Sequence, residues 1–130
     1  MASIFTRIVQ GEIPCHKLAE NDQFLAFLDV RPIRAGHALV IPKEEVDYLF
    51  DLDDERLGGI MQFAKPVAKA IEKVVPCKRI GVVVIGLEVP HAHVHLVPIQ
   101  QISDINFALA KPAAPDELET LAASIREAMV

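Results

Sequence analysis

The sequence has no tryptophan, one tyrosine and an aromatic share of only 5%. It therefore offers few flat rings on which nucleobases could stack. It also lacks a basic block, since 13 Lys and Arg stand against 18 Asp and Glu for a net charge of −5. Both absences argue against a dedicated nucleic-acid-binding domain. Cys15 and Cys77 are the two cysteines. They make no disulfide framework and neither has a C-x-x-C partner, so a cytoplasmic protein with reduced thiols is expected. No basic segment followed by a long apolar one opens the chain, so no signal peptide is expected. The longest apolar run, Ile80–Leu87, is far short of the roughly 20 residues that cross a bilayer. No membrane partner is expected. What is present, 52% hydrophobic and 24% charged residues in a chain of 130, is a folding composition that fits one domain over residues 1–130. Its last part, from about residue 100, reads as an extension carrying a helix.

Periodicity sketches an α+β fold. Ile4, Phe5, Ile8 and Val9 have helical spacing, with Gly11 placed to end the helix. Lys17–Glu20, the turn-like Asn21-Asp22 and Phe24–Asp29 read as a hairpin. His37–Pro42 reads as a further strand. Asp53 is placed to cap a long helix in which Leu57, Ile60, Met61, Ala64, Val67, Ala68, Ile71 and Val74 form one apolar face. Pro66 lies inside that pattern and predicts a kink. Arg79–Ile85 reads as a buried strand and His91–Ile99 as the last one. After a loop-like stretch, Pro115 opens a helix with Leu118, Leu121, Ala122, Ile125 and Met129 on one face. Ala114 is a poor cap for it, so its first turn is expected to fray.

The chemistry lies in the histidines. In a strand, His91-Ala92-His93-Val94-His95-Leu96-Val97 would place three imidazoles on one face, spread over about 13 Å, with His37 at the start of another strand. Three readings compete. The face is solvated and inert; it binds a metal, because His-x-His supplies two ligands; or it performs nucleophilic and acid–base catalysis on phosphorus, the middle imidazole attacking and its neighbours orienting it. Spacing alone leaves metal and catalysis level, although no carboxylate or Cys stands out as a further ligand.

The motif resembles that of the histidine triad (HIT) superfamily, His-φ-His-φ-His-φ-φ with φ apolar. The resemblance extends to Ile4-Phe5 through Gly11-Glu12-Ile13-Pro14, to Phe24–Asp29 and to Gly36–Lys43. It runs in the family's order over about three quarters of the chain. It implies a five-stranded antiparallel sheet with helices, paired as a homodimer across the long helix and the fourth strand. It implies an enzyme, a phosphoramidase or nucleotide hydrolase acting on a purine nucleotide derivative, with no cofactor. By the resemblance His93 is the nucleophile that takes the nucleotidyl group, and His95 and His37 are its phosphate-side neighbours. His91 orders the triad, Asp29 holds the ribose hydroxyls, and Phe5, Ile8, Ile13 and Phe27 line the base cleft. Plain core packing for Phe5, Ile8 and Ile13, and a turn or cap role for Asp29, are the alternatives.

Departures from the family pattern define further expectations. Leu87 and Glu88 occupy a shortened segment where many relatives carry Gln and Ser, so a nucleotide-binding module with weak turnover is the runner-up function. Glu88, an anion beside a phosphate, is expected to turn toward solvent. Glu45 stands where many members have His, and Ser3 and Thr6 stand where zinc-binding members have Cys. No structural zinc is expected there. The apolar faces of 54–75 and 79–85 also call for cover by a second copy.

Overall fold

A computed structural model describes residues 2–129. Helix α1, Ile4–Val9, starts where the Ser3 hydroxyl accepts the Thr6 N–H. It is followed by Gly11 at φ +81°, a conformation that costs glycine little. Strands β1 (Lys17–Glu20) and β2 (Phe24–Leu28) form the hairpin, its turn held by the Asn21 side chain, which accepts the N–H groups of Gln23 and Phe24. Strand β3 (Ala38–Pro42) follows. Helix α2 (Asp54–Val74) is capped by Asp53, which accepts the Arg56 N–H, and runs on through Pro66. Strands β4 (Arg79–Val83) and β5 (Val94–Ile99) complete a sheet of order β1-β2-β3-β5-β4, antiparallel at every step. Helix α3, Pro115–Ala128, closes the chain; as Ala114 foretells, no side chain caps its start.

The two faces of the sheet are covered differently. Ala26, Leu28, Val40, Val94 and Leu96 pack on one side against Ile60, Ala64, Val67 and Ile71 of α2 and Leu118, Ala122 and Ile125 of α3. Each large aliphatic side chain buried there contributes about 1.5–3 kcal/mol. On the other side Leu25, Phe27, Leu39 and Ile41 gather with Phe5 of α1, and the imidazoles lie on this side. Gly36, at φ +93°, turns the chain into β3; a Cβ there would lie 2.9 Å from Val75 Cγ2 and 3.0 Å from Pro98 Cγ. The turn that delivers His37 is thus open only to glycine.

Five sequence readings need correction. Strand β5 begins at Val94, so His91 and His93 lie in the approach to the strand and only His95 within it. The fourth strand ends at Val83, not Ile85. It is an outer strand of the sheet, with Val82 and Ile85 about half exposed, so within one copy of the chain it is not buried. Met61 faces solvent rather than the apolar face, which Ala70 completes instead. The stretch after β5, read as a plain loop, contains two short 3-10 turns, Ile102–Asp104 and Phe107–Leu109.

Candidate active site

His37, His91, His93 and His95 are all buried and come together at the β3–β5 seam. The His93 and His95 ring centroids lie 4.9 Å apart, and those of His37 and His95 5.2 Å apart. Fixed backbone groups determine which nitrogens carry hydrogen. The Ile33 N–H donates to His37 Nδ1 at 3.0 Å, so the His37 proton sits on Nε2 and is donated to His95 Nδ1, 2.9 Å away. His95 must then carry its own hydrogen on Nε2, where it has no protein acceptor among the described residues. The carbonyl of His91 accepts from His93 Nδ1 at 2.7 Å. In the neutral ring the His93 lone pair is therefore on Nε2. The carbonyl of Pro42 takes His91 Nε2–H at 2.8 Å, and His91 Nδ1 faces the Ser3 hydroxyl, also at 2.8 Å.

Burial favours the neutral form of His37, His91 and His95. Burial lowers the pKa of His95 to about 3, helped by the nearby His37 and His93. Burial also lowers His37, against the pull of Asp29, and lowers His91, against the Pro42 carbonyl and Glu45. The tautomers fixed by these hydrogen bonds set the lone pair of a neutral His93 ring, on Nε2, beside an N–H donor at His95. A nucleophile and an electrophilic donor on adjacent rings suit attack on phosphorus.

The other expected residues are distributed around these rings. Phe5 lies edge-on to His93 at 5.0 Å and to Phe27 at 5.8 Å. Ile8 packs on the same cluster, whereas Ile13 is half-buried and stands outside it. Asp29 Oδ1 accepts the Arg31 N–H at 2.9 Å, the turn role, while Oδ2 lies 3.7 Å from His37 Nε2. Leu87 and Glu88 are exposed. Several participants escaped the sequence reading. Phe107 lies edge-on to His95 at 4.9 Å, and the segment that carries it is tied back by Asp104, which pairs with Arg34 at 3.2 Å. The Ile33 N–H and Pro42 carbonyl set the tautomers, and backbone groups leave no mark in a sequence.

Asp29, His37 and His95 could be read as a metal centre, since one donor atom of each lies within 4.8 Å of the others. The donor chemistry does not fit. With a backbone N–H directed at Nδ1, the Nε2 of His37 bears a proton and has no lone pair for an ion.

A five-stranded antiparallel sheet with an imidazole cluster at one strand seam is the architecture of a histidine triad protein. A model of the HIT domain matches residues 10–102. Adenosine 5′-monophosphoramidase hnt1 of Schizosaccharomyces pombe is 38% identical over 130 residues, covering 96% of either chain. The corresponding HNT1 of Saccharomyces cerevisiae is 41% identical over 98 residues, 75% of this chain and 62% of that one. Among solved structures, a Hit-like protein of Bartonella henselae superposes with a TM-score of 0.86 at 31% identity, over 97% of this chain and 95% of that one. A zinc-bound histidine triad protein of Mycobacterium smegmatis gives 0.84 at 28% identity, over 99% and 94%. This chain belongs to the HIT family.

Proposed function

We propose that the protein is a nucleotide phosphoramidase or hydrolase that cleaves purine nucleotide derivatives at the α-phosphate through a nucleotidyl-His93 intermediate. The observation that carries the reading is the fixed tautomer pair, a lone pair on His93 Nε2 beside an N–H on His95 Nε2. His93 Nε2 attacks the α-phosphorus, and the bond from phosphorus to the leaving amine or phosphate breaks. His95 Nε2–H, fed from behind by His37, bonds the oxygen on which charge develops. Water then attacks the same phosphorus, the P–Nε2 bond breaks, and the nucleoside monophosphate departs. The departing amine takes its proton from solvent in the first step, and the attacking water returns one to solvent in the second. Asp29 receives the ribose hydroxyls, and the base lies against Phe5, Ile8 and Phe27, with Ile13 at the margin. The similarity to two named adenosine 5′-monophosphoramidases supports this substrate class.

The test is release of AMP from adenosine 5′-phosphoramidate. Steady turnover supports the enzyme; binding of AMP without turnover would reduce the protein to a nucleotide-binding module. The free thiols Cys15 and Cys77 suit a reducing cytoplasm, and no described helix is long and apolar enough to cross a membrane.

The protein is also proposed to act as a homodimer. Strand β4 leaves one edge unpaired, and exposed Val82, Val84 and Ile85 lie along it and just beyond, with Met61 exposed on α2. A second copy would cover these groups and remove the open edge. Light scattering at micromolar concentration should return twice the 14.3 kDa chain mass, and a monomer mass would refute the pairing.

A further inference from the structure

Three side chains next to the triad, Ser3, Thr6 and Glu45, form with His91 a hydrogen-bonded set whose members the proposed chemistry does not itself consume. Glu45 Oε1 accepts both the Ser3 backbone N–H and the Thr6 hydroxyl, each at 2.6 Å. The Thr6 N–H donates to Ser3 Oγ at 3.0 Å. Ser3 Oγ lies 2.8 Å from His91 Nδ1. Because the Pro42 carbonyl occupies His91 Nε2–H, Nδ1 holds the lone pair and the Ser3 hydroxyl is the donor.

We propose that Ser3, backed by Thr6 and Glu45, is a positioning residue for the nucleophile, a hydrogen-bonded clasp on His91. This rests on the reading of His93 as the nucleophile. The set does not suit zinc. Structural zinc takes thiolate, imidazole or carboxylate ligands, whereas two of these four side chains are neutral hydroxyls and the His91 Nδ1 lone pair is already engaged. The donors of Ser3 and Thr6 find their acceptors within the set, and His91 Nε2–H is taken by the Pro42 carbonyl.

The clasp reaches His93 through His91. With both ring nitrogens bonded and no surface exposed, His91 can neither rotate nor exchange tautomers without breaking a buried bond, which is costly. Its carbonyl is thereby held 2.7 Å from His93 Nδ1, and that bond keeps the lone pair on Nε2. Glu45 completes the arrangement as an anion. The Ser3 N–H, and then the Thr6 hydroxyl, lower its pKa to about 2. The same bonds seat the start of α1, whose Phe5 ring lies against His91 and His93 at 5.8 and 5.0 Å.

The test uses the full-length chain with Ser3→Ala, Ser3→Gly, Ser3→Thr and Glu45→Ala. It measures kcat and KM on adenosine 5′-phosphoramidate and reads imidazole tautomers by nitrogen-15 NMR. Ser3→Gly keeps a tolerable helix cap but has no hydroxyl, which separates capping from donation. Ser3→Ala and Ser3→Gly should both lower kcat about tenfold with KM within about twofold, well short of the loss when a partner bonding the catalytic ring itself is changed. His93 should lose its single tautomer in both, and Ser3→Thr should restore rate and spectrum. Glu45→Ala, at an exposed position, should give a smaller loss of the same kind and serves if Ser3 variants fold poorly. An unchanged His93 tautomer in Ser3→Gly, an unchanged kcat, or failure of Ser3→Thr to rescue would overturn the proposal. A wild-type protein that turns over no phosphoramidate would defeat the functional reading, while the tautomer spectra would still decide the clasp.

Discussion

The two ends of the triad are built on opposite plans. At the His91 end both ring nitrogens are satisfied, by Ser3 and Pro42, and the ring has no exposed surface. At the His95 end one nitrogen is fed by His37, while the other keeps a hydrogen with no protein acceptor among the described residues, beside a Phe107 ring that is 39% exposed. Burial lowers the pKa at both ends. One end is closed and fixes direction; the other is open and has a donor to spend. Four imidazoles of identical chemistry thus acquire different duties from the backbone groups and side chains behind them.

The comparison has most to lose at its centre. His93→Ala removes the nucleophile that both ends serve, and turnover of adenosine 5′-phosphoramidate should fall at least about 10²-fold. AMP affinity and folding should hold, because Phe5, Phe27 and Asp29 are untouched. Residual activity above about a tenth of wild type would take His93 out of the role.

Lowering the pH should strain both ends together. His37, His91 and His95 have folded pKa values below the unfolded value near 6.5. Below that pH the unfolded chain takes up protons that the folded chain refuses, so stability falls as pH drops from 7 toward 5. Glu20 and Glu45, lowered to about 2 from 4.5, add loss of the same sign only at more acid pH. The urea midpoint at pH 5.5 should therefore lie below that at pH 7.5; a flat or rising midpoint contradicts the neutral buried imidazoles.

Phe107→Ala sharpens the contrast by wetting only the open end. Less burial raises the His95 pKa, so the rate at pH 5.5 relative to pH 7.5 should drop several-fold below the wild-type ratio. The Ser3-bonded His91 should keep its tautomer. An unchanged pH profile would show that Phe107 does not shield His95.

The smallest effect is expected at Glu88. Its side chain is exposed and is assigned no proton to deliver, so Glu88→Gln should leave kcat within about twofold and its pH dependence unchanged. Loss on the scale of about 10²-fold, typical of a missing general acid, would place the leaving-group proton there instead.

Much of this was legible in residue order, for reasons that can be named. Apolar runs and helical spacings located the five strands and three α-helices of the described residues, because the helices bury one apolar face and the central strands bury both. The histidines were found because imidazoles at every second position are a poor choice for a bland face. The limits of β4 and β5 were not legible. Apolar residues at Val84 and Ile85 look like strand whether or not a partner strand continues beside them, and His91 precedes the ladder although the alternation through it is perfect. Phe107 was hidden by distance, because its contact with His95 depends on how the segment after β5 folds back through Arg34 and Asp104. Ser3, Thr6 and Glu45 were visible only as departures from a pattern; that they bond to one another required coordinates.

The central claim is that His93, and no other imidazole, accepts the nucleotidyl group. Rapid quench of wild-type protein with adenosine 5′-phosphoramidate, followed by peptide mass spectrometry at neutral to mildly alkaline pH, tests it directly. An added AMP on the peptide containing residues 91–95, localised to His93 by fragmentation and absent from His93→Ala, is the expected result. AMP on His91 or His95, or turnover at full rate with no adduct trapped at any time, would contradict the account.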